Sequence, residues 1–262
     1  MSTRFAPNIL LEGTGSATQR ADFERQVVER LRQLQTFETG RVVLGEVMRL
    51  PRRLTIQPWA GPGVNAEARP VSWADGEPRG VPVFDGLGQR IAGLRGTGLG
   101  SDAVVSYSPT VAAVDAGGWT PTMRAAWQAM SGHASPAPGA ECGEMLLHEL
   151  VLAYRYMLGV AHPRPMRLNF DTREEQIALV VTNVYSAERG ARPLRADHRP
   201  SSVPLAQYRG SLGSCEYQRT LLAAMLDMPR LTNALGRVPV VPNPFAQHAT
   251  PAVPDLFFGA RF

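Results

Sequence analysis

Apolar residues near the start of the chain recur every three or four positions, the spacing of one face of an α-helix. In residues 20–35 the apolar positions are Phe23, Val27, Leu31 and Leu34. A second helical stripe follows Thr39 and runs to Leu50, where Pro51 ends it because proline cannot continue a helix. The pattern predicts two N-terminal helices.

Strand-like alternation comes next. Residues 53–59 (RLTIQPW) predict a strand, and Pro58 indicates a sheet edge or a strand end. Residues 60–90, rich in Gly and Pro, predict irregular or short hairpin structure. A second strand is expected over Ala103–Tyr107. The glycines before it reverse the strand–glycine–helix order of a phosphate loop, so a turn is favoured over a nucleotide site.

Three more helices follow from periodicity and capping signals. One is predicted over residues 141–158, with Gly159 as its C-cap residue, and a short one over 217–226. Between them, residues 172–187 predict a helix with Asp171 as N-cap and Glu174 at its third position. We expect one domain over 1–262, with N-terminal helices and a strand in 1–60, a catalytic-type core in 90–200 and a mostly irregular part in 200–262.

The composition indicates a folded domain and disfavours several other classes of protein. Hydrophobic residues make up 44% of the chain and charged residues 19%, which is typical of a folded domain. All 27 basic residues are arginines, scattered rather than clustered with aromatics, so we expect no specific nucleic-acid binding. No apolar run is long enough to span a membrane, and the N-terminus lacks the pattern of a classical signal peptide. Two cysteines cannot form a disulfide framework.

The segment CGEMLLHELVLAYRYMLG carries the most informative chemistry. Two histidines four residues apart on a helix can hold one zinc ion, and a glutamate after the first can act as general base. His148 and Glu149 fit this pattern, but Leu152 stands at the second histidine's position. An isolated His-Glu pair is more often part of a core than of a metal site.

A second helix supplies carboxylates. Glu174 and Glu175 open the apolar segment IALVVTNVY, where they suit either a zinc site completed by a carboxylate or stabilisation of a helix N-terminus.

Three ordered motifs, HELVLAYRYMLG, TREEQIALVVTNVYSAERG and PLRADHR, resemble the core of NleD-like effector zinc metallopeptidases. The resemblance implies an α+β, zincin-like fold in which a small sheet packs on the active-site helix and a second helix bears carboxylates. It implies that His148 binds zinc and that Glu149 is the general base. The second ligand would be Glu175 by motif alignment, whereas helical phase favours Glu174.

The same resemblance places Asp197 and His198 near the site, as orienting or transition-state-stabilising groups. Tyr185 shares a helix face with Glu174 and is a candidate for contact with substrate, with a packed aromatic as the alternative. Arg155 and Arg195 are expected to form structural ion pairs with Glu188 or Asp197.

Leu152 departs from the family pattern, because leucine has no lone pair to donate to zinc. Three explanations stay open. The chain is a pseudopeptidase that kept its fold for binding, or His198, less plausibly His162, replaces the missing ligand, or the leucine is an introduced substitution.

The implied function is that of a secreted bacterial effector or toxin. It would be a zinc endopeptidase cleaving a host or competitor protein, or a degenerate form that binds a protein partner without zinc. Delivery through a specialised secretion system agrees with the missing signal peptide. We expect substrate to add to an edge strand near Val104 to Tyr107.

Overall fold

The computed structural model describes residues 2–61, 65–109, 142–165, 172–190, 194–195, 202–203 and 215–246. Its helices are α1 (Ala17–Gln35), α2 (Glu38–Met48), α3 (Trp73–Gly76), α4 (Cys142–Leu158), α5 (Arg173–Glu188), α6 (Cys215–Asp227) and α7 (Pro229–Gly236). Its strands are β1 (Thr3–Ala6), β2 (Ile9–Leu11), β3 (Leu54–Pro58), β4 (Ala66–Pro70), β5 (Pro82–Phe84), β6 (Arg90–Arg95), β7 (Ala103–Tyr107), β8 (Leu194–Arg195) and β9 (Ser202–Val203). The predicted α+β class is confirmed.

A five-stranded mixed sheet organises the described part of the chain. Its strand order is β1-β2-β3-β7-β4, with β2, β3 and β7 parallel to one another and β1 and β4 antiparallel to their neighbours. One buried row crosses the sheet through the partners Leu11, Ile56, Val105 and Ala68. Helices α1, α2 and α5 contact α4, which itself lies against β4 and β7, so the sheet and the helices share one hydrophobic core.

Strand order decides two of our expectations. Pro58 ends β3, as one of its two interpretations required, but β3 lies inside the sheet rather than at its edge. Strand β7 is also interior, paired with β3 on one side and with β4 on the other. The expectation that a substrate strand adds beside Val104 is therefore wrong, because the edge strands among the described residues are β1 and β4. Strand β4 lies within a segment predicted to be irregular or short hairpin, and the side of it that no described strand pairs with is the free edge of β4.

Helix termini follow local capping chemistry. Helix α1 begins before the predicted residue 20, because Ser16 and Gln19 form a capping box. Helix α4 ends as predicted, with Gly159 at φ +74°, a conformation that favours glycine. Helix α5 is capped by Thr172 and not by Asp171, which lies outside the described residues; the Thr172 hydroxyl accepts from the Glu175 N–H. The N-cap prediction was therefore off by one residue.

The C-terminal part is more helical than predicted. The expected short helix is confirmed as α6, and α7 follows it directly with Pro229 at its start. Proline at the first helical position is well tolerated, because that N–H has no partner inside the helix. Leu231 and Leu235, one turn apart and fully buried, fix α7 to the core.

Candidate functional site

The candidate site lies where α4 and α5 pack together beneath the free edge of β4. His148 is 4% exposed, and its Nε2 lies 2.7 Å from Oε2 of Glu175, a hydrogen bond in which the ring N–H donates to the carboxylate. The Glu175 side chain is 17% exposed and faces solvent more than the histidine does. Of the two candidate glutamates, the structure therefore brings Glu175 to His148.

Glu174 points into the core instead. Its carboxylate accepts from both Nε and Nη2 of Arg155, and its Oε1 also accepts from the backbone N–H of His162 at 2.8 Å. Both side chains are buried, with Arg155 at 0% and Glu174 at 2% exposure. Nη2 of Arg155 also contacts Asp227 at 3.2 Å. Glu174 thus balances a buried arginine, and its position requires no metal.

Arg155 forms structural ion pairs, as expected, but with different partners. Glu174 and Asp227 take the place of Glu188 and Asp197. Glu188 instead accepts from the backbone N–H groups of Glu38, at 2.6 Å, and Thr39, at 2.9 Å. It therefore caps α2, whose own N-cap residue makes no side-chain hydrogen bond.

Glu149 is the most unusual carboxylate of the site. It is 8% exposed, and the Ala68 backbone on β4 hydrogen-bonds it. Its Oε2 is buried and has no hydrogen-bond partner in the described part of the chain. Burial, followed by the nearby negative charge of Glu175, raises the pKa of Glu149 well above its ordinary value. Such a group is poised to gain from a cation or a hydrogen-bond donor.

The free edge of β4 can be read from its ladder. The Val71 N–H donates to the backbone carbonyl of Asp102, and the Ser108 N–H donates to the backbone carbonyl of Asn65. Because hydrogen-bonded pairs alternate along an antiparallel ladder, Ala66 and Ala68 direct their backbone polar groups away from β7. Side chains satisfy both outward backbone amides. The Asn65 carboxamide oxygen accepts from the Ala66 N–H at 2.9 Å, and the Glu149 carboxylate accepts from the Ala68 N–H.

The described residues do not fit a zinc site of the expected kind. Leu152 lies in the hydrophobic core, 5% exposed, one turn from His148. A catalytic zinc site needs three protein ligands and an open position, and the described part of the chain contains no group of three His, Cys, Asp or Glu side chains that could hold a metal. His148 and Glu175 provide two donors. His162, the less favoured substitute, lies beside Glu77 instead, with Nδ1 3.6 Å from its carboxylate.

Tyr185 is placed in the core rather than beside His148. It is 0% exposed, and its ring meets Phe37 edge to face at 5.3 Å, with the Arg189 guanidinium also 5.3 Å from the ring centre. Ten residues separate it from Glu175, about 15 Å along a helix. These surroundings are those of a packed aromatic, the alternative interpretation. Asp197 and His198 lie outside the described residues.

One residue near the site was missed from the sequence. Tyr156 is 3% exposed, and its ring packs edge to face on Trp73 at 5.7 Å. Burial, together with the charges of Glu174, Glu175, Glu77 and Glu149, raises its pKa well above the ordinary value. The available signal was its spacing of seven residues from Glu149, which puts both on one helix face.

Comparisons with known proteins add no family: no protein-family model matches the chain, and no curated protein matches it either. The resemblance to NleD-like metallopeptidases therefore rests on the motifs alone. Among the described helices, none combines the length and apolar character needed to cross a membrane.

Proposed function

We propose that this chain is a metallopeptidase-like protein that binds an extended segment of a protein partner without cleaving it. The observation that carries the proposal is the packing of Leu152, buried at the position where the motif requires a second zinc histidine. A leucine in that place fills the core and cannot bind zinc directly, and losing a direct ligand weakens metal binding far more than losing a residue that only orients a ligand.

The free edge of β4 is the proposed binding surface. An extended peptide adds to a sheet edge through main-chain hydrogen bonds, which give affinity without requiring one sequence. Ala66 and Ala68 supply the outward backbone groups, and their amides are held by side-chain oxygens of Asn65 and Glu149. Because no described strand pairs with this edge, carbonyl oxygens of an incoming strand can replace these two side-chain acceptors.

A second candidate function is the zinc-dependent endopeptidase that the motifs imply. It is favoured by one observation, the hydrogen bond that brings His148 and Glu175 together beside Glu149. It requires a third ligand beyond the described residues, and His198 is the candidate. For either candidate, delivery through a specialised secretion system, and hence the role of effector or toxin, belongs to the proposal and is supported by the motif resemblance alone.

Metal content and turnover separate the two candidates. We would purify the unaltered chain, His148→Ala and Leu152→His without chelator, measure zinc by plasma mass spectrometry, and search for new N-termini after incubation with a mixture of unfolded proteins. The proposal expects no bound zinc and no cleavage for the unaltered chain, and about one zinc per chain for Leu152→His.

Stoichiometric zinc in the unaltered chain, lost in His148→Ala, would overturn the pseudopeptidase proposal in favour of the endopeptidase. His198→Ala would then test the third ligand, since it should lose zinc while keeping its fold by circular dichroism. A double variant, His148→Ala with Leu152→His, is the matched control, because it retains a histidine on α4 but cannot form the pair.

A further inference from the structure

A buried carboxylate oxygen without a partner is costly, because the desolvation of a charged group is not repaid by a hydrogen bond. Oε2 of Glu149 is such an atom among the described residues, and Glu149 is only 8% exposed. Its unmet bonding capacity indicates a ligand.

The charges around Glu149 indicate the sign of that ligand. Glu175 from α5 and Glu67 from β4 add negative charge, whereas Arg195 from β8 and, when protonated, His148 on α4 add positive charge. Among the described residues, the carboxylates of Glu149, Glu175 and Glu67 thus lie near two basic groups, one of which already pairs with Glu175. The charge balance around Glu149 therefore favours a ligand that carries a positive charge.

We propose that Glu149 and Glu175 together receive the lysine or arginine side chain of a peptide strand bound along β4. The inference rests on the proposed function, and it names the chemistry of the partner segment. The cationic side chain takes a position beside the two carboxylates. Its N–H groups satisfy Oε2 of Glu149 by charge-assisted hydrogen bonds, which are about twice as strong as neutral ones.

The position of Glu149 on the strand edge places it on the path of such a peptide. Its carboxylate accepts a hydrogen bond from the backbone of Ala68, in the middle of β4. The backbone groups of Ala68 point away from β7. A strand added to this edge therefore runs directly past Glu149. Glu175, 17% exposed, is the more accessible of the two carboxylates and forms the entrance.

A peptide-binding measurement tests this inference. We would use fluorescence anisotropy with short, blocked, extended peptides taken from a positional scan, in which one central position is lysine, arginine, norleucine or glutamate. At the responsive position, lysine and arginine should bind at least about tenfold more tightly than norleucine, and glutamate should bind most weakly. Raising the salt concentration should reduce this preference only partly, because the carboxylates are largely buried.

Two variants assign the preference to the site. Glu149→Gln should reduce the advantage of lysine over norleucine to about twofold or less. Glu29→Gln removes the same formal charge from an exposed position on α1 and should leave the advantage unchanged. Measurements repeated with EDTA should give the same values, because the cation is the peptide's own side chain.

The outcomes are distinguishable. Peptide binding without a preference for lysine or arginine, or a preference that survives Glu149→Gln, would overturn the inference and leave the proposed function standing. Absence of binding by every peptide in the scan would overturn the proposed function. Binding that disappears with EDTA would mean that a metal ion bridges peptide and carboxylates, which also overturns the inference.

Discussion

Nε2 of His148 lies 2.7 Å from the carboxylate of Glu175, while the preceding residue, Glu174, turns into the core to meet Arg155. Successive residues of a helix point about 100° apart, so adjacent glutamates can serve different surroundings. One of the pair belongs to the candidate site and the other to the scaffold that holds α4 against α5. This division of roles has measurable consequences.

Glu174→Gln should destabilise the protein far more than Glu175→Gln. Removing one partner of a buried ion pair leaves the other charge uncompensated, which costs about 3–5 kcal/mol in the free energy of unfolding. Arg155, at 0% exposure, would keep only its contact with the partly exposed Asp227. Glu175→Gln should cost about 1 kcal/mol or less, since its carboxylate is partly solvated and its hydrogen bond to His148 can be kept by the amide.

Urea denaturation followed by circular dichroism measures both variants. Arg155→Met alone should cost about as much as Glu174→Gln, and combining it with Glu174→Leu should cost less than the sum, because the two changes remove one interaction. Equal and small effects of Glu174→Gln and Glu175→Gln would contradict the structural role of Glu174.

Helix positions and ends were the most predictable features, because their signals are local. The apolar content of residues 141–158 and Gly159 predicted α4, and its end at Leu158 is as predicted. Strand order was not predictable, because nothing in residues 103–107 shows that β4 pairs beside β7. The expected edge was therefore assigned to the wrong strand.

The two glutamates show a different limit. Helical phase correctly placed Glu174 nearer to the buried face, and it is buried at 2% exposure. The partner that this burial requires, Arg155, lies 19 residues away on another helix. Periodicity identifies which side chain is buried but not which residue it contacts. Choosing the zinc ligand by helical phase therefore favoured Glu174, which pairs with Arg155, over Glu175.

Two glycines of α2 should respond to alanine with opposite signs. A Cβ at Gly45 meets nothing within 4 Å, whereas one at Gly40 would lie 2.1 Å from the carbonyl oxygen of Leu34. Gly45→Ala should stabilise the protein by about 0.5–1 kcal/mol, because alanine restricts the unfolded chain and favours helix. Gly40→Ala should destabilise it by about 2 kcal/mol or more, since the α1–α2 junction must move apart.

Thermal unfolding of both glycine variants under one set of conditions checks this pair. Both changes are glycine to alanine in the same helix, so differences in helix propensity cancel between them. A loss of stability in Gly45→Ala, or a gain in Gly40→Ala, would contradict the packing of α2 against α1.

Gln176→Met should stabilise the protein. Gln176 is 1% exposed, and neither Oε1 nor Nε2 of its amide has a hydrogen-bond partner among the described residues. It lines a small cavity whose other lining residues are mostly apolar: Ile177, Val180, Tyr217, Thr220, Leu221, Ala224 and Phe245. Methionine has a similar shape and no amide to desolvate, so the gain should be about 1–2 kcal/mol.

The urea midpoint of Gln176→Met measures this gain, with Gln176→Glu as the control. A carboxylate in the same surroundings should be strongly destabilising at neutral pH, because burial penalises the charged form. If Gln176→Met is instead less stable than the unaltered chain, the amide has a bonding partner that outweighs its burial.

Leu152→His should make the stability of the protein depend on zinc. In EDTA the variant loses the packing of a side chain that is 5% exposed and gains a ring nitrogen in the core, which should cost about 2–4 kcal/mol. Excess zinc should restore part of that loss, since a ligand that binds only the folded state stabilises it by about 2.7 kcal/mol at a hundred times its Kd. Differential scanning fluorimetry with and without zinc gives both quantities.

Leu152→Ala, which creates a cavity without a zinc ligand, should be destabilised and show no response to zinc. A zinc response in the unaltered chain equal to that of Leu152→His would show that the leucine does not prevent metal binding, and the endopeptidase candidate would then be the better one.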